Sequence, residues 1–203
     1  MVTLTVTELK EKHPERFEKE YYEWLEYAGD YDWYGFHTDH FKEEMLKLGL
    51  DVFAVDLDSD SYNRFIAIVR GSMRLATLMK LLGKDEEYLP LYLDALDTQH
   101  MVMFSNGWRN RQNVEIEESY SYESPPQGVF SGMEPDEWRE LVEEQANNED
   151  WAQLALDWLK PHTDKLADDL SEDYEYITSE EEFIASCEVN DVTFEVEEED
   201  DEI

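Results

Sequence analysis

A single cysteine, Cys187, stands among 203 residues, which excludes an internal disulfide and any CxxC metal or redox site. That usage agrees with a reducing compartment. No uncharged apolar run approaches the ~18 residues that cross a bilayer, and the opening MVTLTVTELK has neither the basic nor the apolar region of a secretory signal. A soluble protein of the cell interior is expected. Basic residues are scarce: 16 Lys and Arg face 52 Asp and Glu, giving a formal charge of -36. Direct binding to nucleic acid is disfavoured, because a duplex carries one negative charge per about 1.7 Å and repels such a surface. Anionic membranes are disfavoured for the same reason. Also missing are GxSxG, GxxxxGK[ST], HExxH and GxGxxG, so neither an enzymatic activity nor a cofactor has positive support.

What the chain does have is material for a core. Six Trp, twelve Tyr and nine Phe accompany a hydrophobic share of 41%, which separates this sequence from a disordered acidic tail. The length fits a single domain over residues 1–196, followed by a disordered acidic tail, 197–203. Charge of this size opposes compaction, so something should offset it: a halophilic surface, a solubility shell, a cation-binding surface, or a face imitating nucleic acid. The charge is polarised, with net negative charges of 10, 1 and 25 over residues 1–60, 61–120 and 121–203. A halophilic shell should cover all faces, and the nearly neutral middle third and the 32 Glu against 20 Asp count against it.

The elements follow from spacing. Pro14 suits a first helical position, and Phe17, Tyr21, Trp24, Leu25 and Ala28 recur at helical intervals until Gly29. A second helical face carries Trp33, Phe36 or His37, Phe41, Met45 and Leu48, with Gly49 as its cap, so the N-terminal helices span 14–48. The sheet region, 50–120, reads as strands Leu50–Leu57 and Arg64–Arg70 around a polar turn, Asp58–Asn63, then helices Ser72–Leu82 and Glu86–Leu96. Strands Thr98–Phe104 and Trp108–Ser119 come next, joined through Ser105-Asn106-Gly107, where Asn-Gly favours a type I′ turn. Ser124–Gly128 reads as a linker or loop. The C-terminal helical region, 134–190, has a helix from Pro135, one over Glu149–Lys160, and a kink or restart at Pro161. The next helix bears Leu166, Leu170, Tyr174 and Ile177, and Ser179 with Glu182 caps a short one through Cys187. Val192–Val196 reads as an edge strand. The order predicts an α+β fold, a small mostly antiparallel sheet covered by acidic amphipathic helices.

Three groupings of side chains have donors suited to chemistry or binding. Asp56, Asp58 and Asp60 imitate the opening of a calcium loop, but Ser61 and Ala67 stand where its Gly and bidentate Glu belong. His37 and His40 share a helical face without a third ligand at diagnostic spacing, so no metal site is expected. The carboxylate rows remain. Asp164, Asp168, Glu172 and Glu175 follow one another along a helix beside Asp169 and Asp173, interrupted only by Lys165. Carboxylates four residues apart lie about 6 Å apart along the axis, near the spacing of successive phosphates, which rise about 3.4 Å per strand with displacement around the helix. Each like-charged pair costs about 0.2–0.5 kcal/mol, so selection for helix stability alone would intersperse Lys. A solvated face without a partner fits the same rows. The candidate partner-binding residues are therefore Asp164, Asp168, Asp169, Glu172, Asp173, Glu175, Glu180, Glu181 and Glu182, with Glu140, Glu143 and Glu144 as a second patch.

Two stretches resemble a family of small acidic proteins of tailed bacteriophages, many of them labelled as the antitoxin of a toxin-antitoxin system. They are YEWLEYAGDYDWYGFHTDHFKEEMLKLGLDV (Tyr22–Val52) and DKLADDLSEDYEYITSEEEFIASCEVNDVTFEVE (Asp164–Glu197), with YEYITSEEEFIASCEVNDVTF the most telling part. The family's Gly-rich GFxSQGDGA segment has no counterpart in DLDSDSYNRFIAIV (Asp56–Val69), so nothing is carried over there. The resemblance implies phage origin, a host-cytoplasmic location and a protein-binding role. Together with the charge it yields an expected partner, a basic nucleic-acid-binding host protein, while a homodimer also fits the sequence. The expected function is a non-enzymatic inhibitor that imitates nucleic acid, the alternative an antitoxin-like module that binds by shape.

Overall fold

The computed structural model describes residues 1–28, 32–59, 65–84, 100–107, 111–118 and 150–197. Among these, six helices accompany a two-stranded and a four-stranded antiparallel sheet, so the fold is α+β. The chain divides into two compact units, Met1–Gly35 with Asp169–Ile203, and Phe36–Asp168.

The terminal unit begins with strand β1 (Val2–Thr5), which runs straight into helix α1 (Val6–Lys12). The switch is made by a capping box: Thr5 Oγ1 accepts from the Glu8 amide at 3.3 Å, and the Thr5 amide donates to Glu8 Oε2 at 3.0 Å. The sequence reading missed both elements, although Thr5-x-x-Glu8 is the signature of such a start. Helix α2 (Pro14–Ala28) starts on Pro14, as its spacing requires. Helix α6 (Glu180–Val189) starts where Ser179 Oγ accepts from the Glu182 amide. Strand β6 (Thr193–Val196) then pairs with β1, Val2 against Val196 and Leu4 against Phe194. Leu4, Val6, Leu9, Phe17, Phe183 and Cys187 form the core of this unit, flanked by Tyr21, Trp24, Ile184, Phe194 and Val196.

The central unit opens with helix α3 (Gly35–Lys47), which buries Phe41 and Met45. It ends as expected at Gly49, whose φ of +87° places it in the left-handed region, and the Leu50 amide folds back onto the Met45 carbonyl. The sheet order is β2-β3-β4-β5, from strands β2 (Asp51–Ser59), β3 (Phe65–Arg74), β4 (His100–Asn106) and β5 (Gln112–Glu118). Ala67, Ile68 and Val69 are all buried on β3, as its β-branched run predicts.

Four details correct the expected boundaries. Asp58 and Ser59 belong to β2 rather than to a turn. Strand β3 continues through Ser72–Arg74, so helix α4 (Leu75–Leu81) starts three residues later than its spacing suggests. The added residues Ser72, Met73 and Arg74 pair with Met103, Val102 and Met101 of β4, while β2 carries a bulge between Val52 and Ala54, opposite Gly71, where a Cβ would lie 2.5 Å from the Asp51 carbonyl oxygen. The β4–β5 hairpin exists, but Asn106 pairs with Gln112 and the Gly107 amide donates to the Arg111 carbonyl. Five residues therefore connect the strands. Neither Asn106 nor Gly107 has the positive φ of a type I′ pair. Finally, helix α5 (Trp151–Ile177) does not restart at Pro161 but runs through it.

Gln112 has a role its sequence position does not reveal. Its side-chain amide accepts from the Val69 amide at 2.7 Å and donates to the Val69 carbonyl at 2.8 Å, standing in for a strand where β4 no longer reaches β3. The helix expected at 86–96, the linker 124–128, the helix from Pro135 and the tail beyond Glu197 lie outside the described residues.

Candidate functional site

The acidic rows sit on α5 and α6. On α5, Leu166, Ala167 and Leu170 are buried and set the inward face. At 100° per residue, Asp168 and Glu172 fall on the side opposite Leu170, and both are exposed, as is Glu175. Asp169 and Asp173 instead flank the apolar stripe, and Asp169 is half-buried. The two parallel rows read from the sequence therefore differ, one facing outward and one lying along the edge of the packed face. Asp164 is set apart again, because Lys160 Nζ lies 2.6 Å from its Oδ2.

On α6, Glu180, Glu181 and Glu182 occupy the first turn, where the helix dipole favours negative charge. Each does something different. Glu180 pairs with Lys10 at 2.6 Å. Glu181 is exposed, while Glu182 is half-buried and accepts a hydrogen bond from the Tyr176 hydroxyl, which raises the Tyr176 pKa. The second patch, Glu140, Glu143 and Glu144, lies outside the described residues.

The distribution of cations decides how much of this charge is left over. Over Met1–Gly35 and Asp169–Ile203 the sequence has 25 carboxylate side chains and only four Lys or Arg. Lys10, Lys12, Arg16 and Lys19 pair with Glu180, Glu8, Glu20 and Glu23, the second of these pairs within α1 and the last two within α2. Residues 169–203 contain no Lys or Arg at all. On α6, Glu180 receives the Lys10 ammonium.

The other groupings separate. His37 and His40 both lie on α3; His40 stacks on the Phe36 ring and approaches Glu44 at 3.6 Å. Asp56 lies within β2 and pairs with Arg70 at 2.7 Å. Among the described residues no group of three or more His, Cys, Asp or Glu is placed to hold a metal. Cys187 is buried, and burial, with Glu20 nearby, raises its pKa, the opposite of an activated thiol. No helix among the described residues is long and apolar enough to cross a membrane. Sequence reasoning missed the setting of Glu182, which shares a cleft with Trp24, Tyr27, Ala28, Ile177 and Ser186. Its signal was the aromatic pair Trp24 and Tyr27, three residues apart on one acidic helix.

No family model, curated protein or solved structure matches this chain.

Proposed function

We propose that this protein is a phage-encoded, non-enzymatic inhibitor that places carboxylates where a nucleic acid has phosphates. It blocks the nucleic-acid channel of a basic host protein, an anti-phage defence complex of the restriction, CRISPR or nuclease type, in the host cytoplasm. One observation carries the reading: the 25 carboxylates of the terminal unit face four cations, all of them engaged in ion pairs, and residues 169–203 contribute none. A helix face selected for stability would recruit Lys at the i+4 positions. Here Asp168, Glu172 and Glu175 stay exposed on one side of α5. Unneutralised charge of one sign speeds encounter with an oppositely charged channel and makes the complex sensitive to salt.

The test is capture of a partner from host lysate at low salt, followed by competition with duplex DNA. Asp168→Asn, Glu172→Gln and Glu175→Gln together should weaken the complex while leaving the helical circular dichroism unchanged. Asp164→Asn should matter less, because Lys160 already neutralises that carboxylate. Unaltered affinity in the triple variant defeats the reading. The second reading, an antitoxin-like module that binds by shape, draws on the exposed rings of Tyr22, Tyr27 and Tyr176. It requires a complex that survives high salt.

A further inference from the structure

The terminal unit contains a cleft of about 240 Å³ lined by Trp24, Tyr27 and Ala28 of α2, Ile177 at the end of α5, and Glu182 and Ser186 of α6. We propose that this cleft seats one cationic side chain, Arg or Lys, of the basic partner, and so supplies the specific anchor that diffuse charge lacks. The proposal rests on the reading of a basic protein partner given above.

The lining has the chemistry of a cation site. The faces of Trp and Tyr rings attract ammonium and guanidinium groups, and Glu182 brings a carboxylate and Ser186 a hydroxyl to the same space. No Lys, Arg or His is among the lining residues. The size fits one side chain, since clefts for small-molecule ligands run from about 300 Å³ upward. The walls are held in place: the Trp24 ring lies 5.4 Å from Phe183 and 6.1 Å from Tyr21, centroid to centroid, and Glu182 is fixed through its amide by Ser179 and through its carboxylate by Tyr176. Little ordering is left to do on binding.

The same unit already uses this combination once. Lys10 Nζ sits 5.2 Å from the centre of the Phe17 ring and 2.6 Å from Glu180, an α2 aromatic and an α6 carboxylate closing on one ammonium. Two turns further along α2, Trp24 lines one cleft together with Glu182 of α6, again an α2 ring and an α6 carboxylate, and here the lining contains no cation of the chain's own. An arginine or lysine of the partner completes it.

A blocked tri-arginine peptide, with its citrulline counterpart as the uncharged control, tests this on the full chain by calorimetry. Tyr27 is 69% exposed, so Tyr27→Ala removes ring area without touching the core or the charge. Tyr27→Ala should lower affinity for the arginine peptide about two- to fivefold. Glu182→Gln, which keeps an acceptor for Tyr176, should lower it more than Glu175→Gln, a loss of equal charge outside the cleft. Wild-type affinity in Tyr27→Ala, or equal effects of the two Gln variants, overturns the proposal, as does equal binding of the citrulline peptide. The two ideas fail separately: loss of the α5 row weakening the host complex while the cleft variants bind peptide normally removes the cleft alone. The reverse pattern removes the nucleic-acid mimicry and leaves the cleft.

Discussion

The Tyr21 hydroxyl donates to the Thr178 carbonyl at 2.6 Å, joining residues 157 positions apart in the chain. Thr178 directly follows α5, so its carbonyl is among those a helix end leaves without an internal partner. Tyr21 supplies one and fixes the turn that leads to the Ser179 cap of α6. Tyr21→Phe keeps the ring against Phe183 and removes only this bond. The expected loss is about 1 kcal/mol, read as a lower urea midpoint with an unchanged slope. An unchanged midpoint would show that water replaces the hydroxyl without penalty.

Alkaline conditions should weaken the terminal unit. Burial, then Glu180 and Tyr22, raises the Tyr21 pKa, and burial with Glu20 raises that of Cys187. In both cases the folded chain holds the proton more tightly than the unfolded chain does. Their contribution is complete below the unfolded values, about 8.5 for Cys and 10 for Tyr, and is lost as pH rises through the folded ones. The melting temperature should decline from about pH 8.5 upward, with a steeper fall above the Tyr range. Cys187→Ala should flatten the earlier decline; an identical profile in that variant contradicts the assignment to Cys187.

Gly71→Ala should be severely destabilising. Its Cβ would meet the Asp51 carbonyl oxygen at 2.5 Å and the Val52 Cα at 3.1 Å, both backbone atoms at the β2 bulge that cannot swing aside. A cost in the range of about 1–3 kcal/mol or above is expected for such overpacking. Gly83, with nothing within 4 Å of an added Cβ, is a spatial contrast, though its φ of +66° carries its own backbone penalty. Amide exchange across β2 and β3 would locate the damage.

Gln112→Glu should be worse than Gln112→Ala. The carboxylate could still accept from the Val69 amide but would face the Val69 and Ser105 carbonyls, to which Gln112 Nε2 now donates at 2.8 and 3.1 Å. Acceptor against acceptor in a partly buried place costs more than a missing bond. Thermal melting of the two variants at neutral pH gives the order; equal stability would mean that Val69 finds another partner.

Salt should act in opposite directions on the protein and on the complex proposed above. The described ion pairs are largely exposed, so screening removes little attraction but relieves the repulsion of a -36 chain. The melting temperature of the free protein should rise with sodium chloride while affinity for a basic partner falls. A melting temperature that falls would point to the ion pairs as the larger effect.

The parts of this fold legible in the sequence are those governed by neighbours in the chain. Pro14, the Phe17–Ala28 spacing, Gly49 and the run Phe65–Val69 each act within a few residues, and the elements they define are present. Strand β1 and helix α1 were missed because four and seven residues give too short a pattern to separate, and because β1 gains its meaning from β6, about 190 residues away. Gly71 and Gln112 were unreadable for a related reason: one answers a bulge in another strand, the other replaces a missing partner. At the candidate site, the carboxylates were readable as rows. Their division into outward, edge and paired groups depended on which helix face packs and on where Lys10 and Lys160 reach.

The pairing of β1 with β6 has a consequence for synthesis. Leu4, Val6, Leu9 and Phe17 leave the ribosome before Phe183 and Cys187, which complete their core and are made some 165 residues after Phe17. At about 5–20 residues per second, the nascent segment waits roughly ten to thirty seconds without its partners. A chain cut short before Phe183 never receives them, so it keeps those apolar side chains open to chaperones and proteases. The unit with the greater excess of carboxylates is therefore also one whose core closes only after chain on both sides of the central unit has been made.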